Sequence, residues 1–302
     1  MTTIGILCGL AASIFMAIAY ACSGRALRLC PDLSSLGLLA RAHIIMGLFS
    51  AVGLCFFWLP SLNSSFPDWS PIVLYGVLFY LFGQGSLFMA QKKVEPSRIV
   101  PLLGLKLIVL ALLNVLFLKQ EVYGIMQIIA IVLTILSAFM LNNAGKKIPL
   151  SSMFWVLAAC CGYATSDIFI KMQVDKIAAI SDKGLTYNSL LSSSLSYALC
   201  GIAGLILIPF LKRQGSKVWR LSFPFALFWL LGIVFLFACF DQIGPVNGNI
   251  VQSSRAIWAV LLGLILSKTG HTYLEEKVSK AIFLRRLAAT IILVLAIVLY
   301  NL

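Results

Sequence analysis

The chain has 302 residues, 61% of them hydrophobic and only 11% charged, with a formal net charge of +13 and a mean hydropathy of +1.01. Soluble domains run at about 45–50% apolar and about 25% charged, so too few polar residues are present to cover a water-facing surface. Water-soluble enzymes and disordered proteins are excluded. Nucleic-acid binders are excluded too, because the basic residues stand singly and in pairs between apolar runs, as they do at membrane edges.

A membrane helix needs about 20 mostly apolar residues. Ten stretches qualify, at roughly 3–23, 35–59, 71–90, 97–118, 122–141, 152–173, 188–211, 222–240, 245–267 and 282–301. The expected fold is all-α and membrane-embedded, with ten transmembrane helices joined by short loops. The first span reads as a helix that is kept, since neither a charged leader nor a small-residue cleavage site accompanies it. A multi-pass protein of the cell's inner membrane is expected.

In chain order, the first span carries Ser13, Ala17, Tyr20 and Gly24 on one mostly small face, suited to close packing or a cavity wall. Arg41 and His43 lie early in the second, where an Arg snorkels or pairs and a His is most often hydrogen-bonded inside. Tyr80 and Gln84 share a stripe on the third, and Lys106 lies deep in the fourth. The sixth carries Cys160, Tyr163, Asp167 and Lys171 on one stripe. The ninth carries Gly248, Gln252, Arg255 and Ala259 at i, i+4, i+7 and i+11, so Gln252 and Arg255 can point at one ligand. Asn247 and Asn249 follow Gly244-Pro245 at its start, which reads either as a partly unwound ligand-facing segment or as a capped helix start.

Basic residues concentrate in alternate loops. Arg25, Arg28, Lys92, Lys93, Lys146, Lys147, Lys212, Arg213, Lys217, Arg220, Lys268, Lys277 and Lys280 flank the odd-numbered ones; Lys119, Lys171, Lys176 and Lys183 flank the even-numbered ones. This asymmetry places the odd loops in the cytoplasm and both termini outside. The eight cysteines form no C-x-x-C pair and seven lie inside apolar spans, so they read as small buried hydrophobes. Asn63-Ser64-Ser65 is a formal glycosylation sequon.

The halves resemble each other. Leu87-Phe88-Met89-Ala90 matches Leu236-Phe237-Ala238-Cys239, Val94-Glu95-Pro96 matches Ile243-Gly244-Pro245, and Leu10-Ala11-Ala12 matches Leu157-Ala158-Ala159. After a two-residue insertion in the second half, Arg98-Ile99-Val100 matches Asn249-Ile250-Val251, which sets Arg255 against Gly104. Acidic residues precede the fifth and tenth spans, at Glu121 and Glu275-Glu276. Five spans per half force the second copy to enter the membrane inverted, the plan of secondary transporters with a site near the midplane. The division expected is 1–145 and 146–302.

These residues also carry a family resemblance. The turn-Pro openings at Val94-Glu95-Pro96 and Ile243-Gly244-Pro245, the acidic residues before spans five and ten, Cys161-Gly162-Tyr163-Ala164-Thr165-Ser166-Asp167 and Arg41 resemble the EamA-like branch of the drug/metabolite transporter superfamily. The resemblance implies a central cavity walled by spans one to four and six to nine, with spans five and ten outside as scaffold or dimer contacts. The chain departs from the family's Gly-Glu hairpin between spans nine and ten, having Ser267 to Lys280 there. The family mostly keeps its termini in the cytoplasm, against the charge bias here.

An ionisable group in hydrocarbon costs at least about 2.5–3.5 kcal/mol on insertion scales. Lys106, Asp167 and Arg255 lie deep, two cations against one acid. Either Asp167 neutralises Lys171, Lys106 or Arg255 structurally, or the charges line a wet substrate site with positive charge to spare. The second reading predicts a secondary transporter of a small polar metabolite with an anionic group: an amino acid, organic acid, nucleotide or phosphorylated metabolite. Lys106, Arg255, Gln252, Asp167, Tyr163, Gln84, Tyr80, Tyr20 and Asn249 are the expected substrate-binding residues. The alternatives are an exporter of cationic or amphipathic drug-like compounds, a membrane-embedded enzyme, or a scaffold. No catalytic constellation, metal-ligand spacing or cofactor motif is found. The partners expected are the substrate and the lipid bilayer, with proton coupling or counter-substrate exchange, and monomer or homodimer, left open.

Overall fold

The computed structural model describes residues 3–106, 108–109, 112, 124–143, 147–181, 183–271, 274 and 279–300. Among them the chain is helical throughout, with no strand. Among the described residues eight helices are long and apolar enough to cross a membrane: Thr3–Leu29, Ser35–Phe57, Phe66–Gln91, Leu150–Ile180, Leu185–Phe210, Ser216–Gly244, Asn247–Lys268 and Lys280–Leu299. These are the expected first to third and sixth to tenth spans. The fifth is the shorter apolar helix Ile125–Asn142. The fourth opens as Pro96–Leu102 and tightens into a 3-10 turn at Leu103–Leu105, and most of its second half lies outside the described residues, as do Glu121 and Glu275-Glu276.

Local chemistry sets the ends. Ser34 caps the second span by accepting from the Gly37 amide at 2.9 Å. Pro96 opens the fourth span at a position where its missing N–H costs nothing. Gly244 has φ 72° and ψ 167°, a conformation glycine reaches without a steric penalty, and it separates the eighth span from the ninth. Large apolar side chains such as Phe56, Leu48, Ile206 and Phe154 are exposed; lipid covers such a surface as well as a protein core would.

Helix pairing is symmetric on exchange of the halves. The first span packs on the eighth and the third on the sixth; the second crosses the seventh, the fourth meets the ninth and the fifth the tenth. The fifth and tenth are tied by Ser137 Oγ donating to the Ala289 carbonyl at 2.6 Å. Small residues allow the close crossings that association in lipid requires. A Cβ on Gly47 would lie 2.5 Å from Gly201 Cα, and one on Gly201 would lie 2.6 Å from Gly47 Cα. Gly83 sits on the Ala159 carbonyl and the Tyr163 amide; Gly232 sits on the Ala12 carbonyl and the Met16 amide.

These contacts register the halves residue by residue: Gly83 with Gly232, Ala159 with Ala12, Tyr163 with Met16. The next pair continues the register. Ser13 Oγ donates to the carbonyls of Val251 and Gln252, both at 3.2 Å. Cys160 Sγ approaches the carbonyls of Leu102 and Leu103 at 3.9 and 3.8 Å. Residues 102–103 therefore correspond to 251–252, and the two-residue insertion disappears. The shared Ile-Val letters had drawn the alignment off the register that the proline turns and carbonyl contacts keep. Followed along the same helices, Tyr20 corresponds to Asp167 and Lys106 corresponds to Arg255, not Gly104.

Among the described residues, the first, third, fifth and seventh loops gather on one face and the second and sixth on the other. Gln214 Nε2 donates to the Asp32 carbonyl at 3.1 Å, joining the seventh loop to the first, and Lys93 Nζ reaches Ser151 Oγ at 3.3 Å. On the opposite face, Tyr187 Oη donates to the Phe57 carbonyl at 3.0 Å.

Candidate functional site in the membrane interior

Lys106, Asp167 and Arg255 are all buried, with 6%, 6% and 7% of their surface exposed. Each cation stands just after a break in its helix: Lys106 after the 3-10 turn, and Arg255 after Ser254, where the helix is interrupted. Their surroundings differ. Lys106 Nζ binds Asp167 Oδ2 at 2.6 Å and also donates to Asn249 Oδ1 at 2.6 Å. The ammonium thereby joins the fourth, sixth and ninth spans. Arg255 makes no ion pair or hydrogen bond among the described residues. Tyr20, Tyr163, Cys160 and Lys106 lie within the electrostatic reach of its charge. The Tyr20 hydroxyl is fully buried beside that of Tyr163, outside hydrogen-bond geometry, and has no partner.

An aromatic cluster adjoins the charges. Tyr20 packs edge-on against Trp229 with centroids 5.3 Å apart, and Tyr80 lies 6.0 Å from Trp229, 5.4 Å from Tyr197 and 6.3 Å from Tyr163. Its hydrogen bonds repeat across the symmetry. His43 Nδ1 lies 2.7 Å from the Leu39 carbonyl, which only accepts, so Nδ1 carries the proton and Nε2 takes the Tyr80 hydroxyl at 2.9 Å. In the other half, Trp229 Nε1 donates to Tyr197 Oη at 2.7 Å. Tyr163 Oη donates to Gln84 Oε1 at 2.6 Å, while Gln84 Nε2 is buried without a partner.

The remaining expected residues are placed as follows. Gln252 is buried against the first span, its Nε2 donating to Met16 Sδ at 3.4 Å. Asn249 is the bridge to Lys106, and Asn247 Nδ2 donates back to the Ile243 carbonyl at 3.1 Å. Lys171 pairs with Asp175 one turn on, not with Asp167. Arg41 is 3% exposed, donates to the carbonyls of Gly37 and Lys212 at 3.0 and 3.1 Å, and stacks 5.9 Å over Trp219. A cavity of about 290 Å³ beside it on the odd-loop face is lined by Ser34, Lys92 and Lys212 among others; none of the three deep charges lines it.

Two groups were not anticipated. Tyr197 and Trp229 belong to the cluster, and the internal repeat held the signal, since they correspond to His43 and Tyr80. Glu95 is buried with Arg286 at 3.6 Å and Arg98 at 3.9 Å, and Arg286 Nη1 reaches Ser97 Oγ at 3.3 Å. This ionic cluster ties the mouth of the fourth span to the tenth. Among the described residues no three His, Cys, Asp or Glu side chains gather to hold a metal.

Comparison with known proteins agrees with this geometry. One solved crystal structure of a protein superposes with a TM-score of 0.58 over 97% of this chain and 94% of its own, at 15% identity, a likeness of fold alone. No curated protein matches the chain. Residues 3–143 of this multi-pass membrane protein match the EamA-like transporter family.

Proposed function

We propose that the protein is a secondary transporter that moves a small polar metabolite with an anionic group across the inner membrane. Its repeats, residues 1–145 and 146–302, rock about the region between Lys106 and Arg255 to expose a central site to each face in turn. The single observation that carries this reading is Arg255, buried at 7% exposure with no counter-ion among the described residues. A lone buried cation is costly, and a cargo that brings the missing negative charge offsets that cost. Lys106 does not share this role, because Asp167 already neutralises it.

The same pairing disfavours a cationic drug as cargo. Such a cargo needs a deep carboxylate free to receive it, and Asp167 is engaged. It also favours facilitated diffusion or exchange over proton coupling through Asp167, whose protonation would have to break the bond to Lys106.

Reconstituted protein tests the proposal. Proteoliposomes are offered labelled amino acids, organic acids and phosphorylated metabolites in parallel with a labelled lipophilic cation. Uptake of an anionic class above empty liposomes is expected. Uptake of the cation alone would overturn the reading.

A further inference from the structure

The two halves differ around their cations at both groups that hold Lys106. Lys106 faces a carboxylate, Asp167, and an amide oxygen, Asn249. Followed through the contact register, the positions equivalent to Asp167 and Asn249 hold Tyr20 and Val100. The acceptors that hold one cation are therefore missing around the other. What stands there instead is a phenol hydroxyl, fully buried and without a partner. A phenol can donate a hydrogen bond where a carboxylate only accepts. The vacant partner of Arg255 is thus an acceptor with negative charge that also takes a bond from Tyr20 Oη.

We propose that the cargo binds through a single carboxylate, seated between the Arg255 guanidinium and the Tyr20 hydroxyl, in the place relative to Arg255 that the Asp167 carboxylate holds relative to Lys106. This assignment rests on the anion-transport reading and narrows it. Charge balance selects the class. With Lys106 and Asp167 cancelling, one positive charge is left, and a monoanion neutralises it. A dianionic phosphate ester would leave a second charge buried without a partner, at the cost such charges carry. The planar fork of Arg255 matches a carboxylate through two parallel bonds. Tyr20 becomes a specificity-determining residue, and its ring packs against Trp229 at 5.3 Å, which holds the hydroxyl in place.

The exchange between halves supplies its own test. Tyr20→Asp rebuilds in the first half the pair that Asp167 makes in the second, so the protein carries an internal copy of the cargo's carboxylate. Full-length protein in detergent is melted alone, with sodium acetate or benzoate, and with inorganic phosphate at matched ionic strength and at a pH of about 8.5, where phosphate is a dianion. Acetate or benzoate is expected to raise the wild-type melting temperature in a concentration-dependent way, and phosphate is not. Tyr20→Asp is expected to melt higher than wild type without ligand and to lose the carboxylate response. The neutral control Tyr20→Asn should gain no stability. Tyr20→Phe, which keeps the ring, should weaken apparent carboxylate affinity about tenfold, the loss of one hydrogen bond to a charged group. An undiminished response in both Tyr20→Asp and Tyr20→Phe, or a phosphate response as large as benzoate's, would overturn the assignment. So would the absence of any carboxylate response in wild type. If proteoliposomes carry a phosphorylated metabolite while carboxylates fail here, this assignment falls and anion transport stands; if no anion is carried, both fall.

Discussion

Tyr20 corresponds to Asp167 as Arg255 corresponds to Lys106: equivalent places in the two halves, with a phenol in one and a carboxylate in the other. Among the described residues one buried cation is neutralised inside the protein, at 2.6 Å, and the other is not. The fold's symmetry makes the difference visible, because the packing contacts around both cations otherwise correspond.

The Lys106–Asp167 pair is a structural tie. Both side chains are buried, so removing one partner leaves a charge in a low-dielectric interior. Asp167→Asn is expected to destabilise the protein by about 3–5 kcal/mol, and joint replacement, Lys106→Met with Asp167→Leu, by much less. Denaturant unfolding in mixed micelles measures both. A wild-type midpoint for Asp167→Asn would remove the pair from the interactions that hold the bundle.

Helix crossings tolerate no added methyl where backbone meets backbone. A Cβ on Gly162 would lie 2.7 Å from Gly83 Cα, and one on Gly47 2.5 Å from Gly201 Cα, whereas one on Gly85 meets only Leu39 Cδ2 at 3.6 Å. Gly162→Ala and Gly47→Ala should each cost about 1–3 kcal/mol by overpacking, and Gly85→Ala next to nothing. A melting series of the three variants checks the order.

The two symmetric hydrogen bonds, Tyr80 to His43 and Trp229 to Tyr197, carry equal roles. Tyr80→Phe and Trp229→Phe should each lose about 1 kcal/mol. Their rings are 6.0 Å apart, so the double variant should depart from the sum. Additive losses in a double-mutant cycle would show that the cluster is two separate contacts.

Much of this was legible in the chain. Apolar run length gave the spans in register with the observed helices, because lipid imposes one length on every crossing segment. The deep charges were legible for the same reason: Lys106, Asp167 and Arg255 interrupt runs that otherwise carry none. Which cation Asp167 would meet was not, since a salt bridge between the fourth and sixth spans depends on tertiary register. The repeat was legible only in part. Its proline turns aligned correctly, but the Ile-Val match shifted the ninth span by two residues, and only the carbonyl contacts of Ser13 and Cys160 restored Lys106 opposite Arg255. Tyr197 and Trp229 escaped notice because aromatic residues are ordinary in membrane helices until a partner is assigned. Glu95 and Arg286 looked like loop-edge charges, and their burial comes from the tenth span closing over the fourth.

Orientation rests on the basic loops. The structure gathers the first, third, fifth and seventh loops on one face, and the positive-inside rule puts that face in the cytoplasm. A reporter fused after residue 302 and active only outside the cytoplasm should therefore be active. An inactive reporter, with its cytoplasmic counterpart active, would reverse the assignment.

The most direct measurement is uptake by proteoliposomes holding equal amounts of folded wild type, Arg255→Lys and Arg255→Gln, offered the labelled anion that wild type carries. Arg255→Gln should lose about tenfold or more, since one charge-assisted contact is worth about 1.5–3 kcal/mol. Arg255→Lys should keep part of the activity because the charge remains. Uptake by Arg255→Gln equal to that of wild type would contradict the central claim that the cargo's negative charge is received by Arg255.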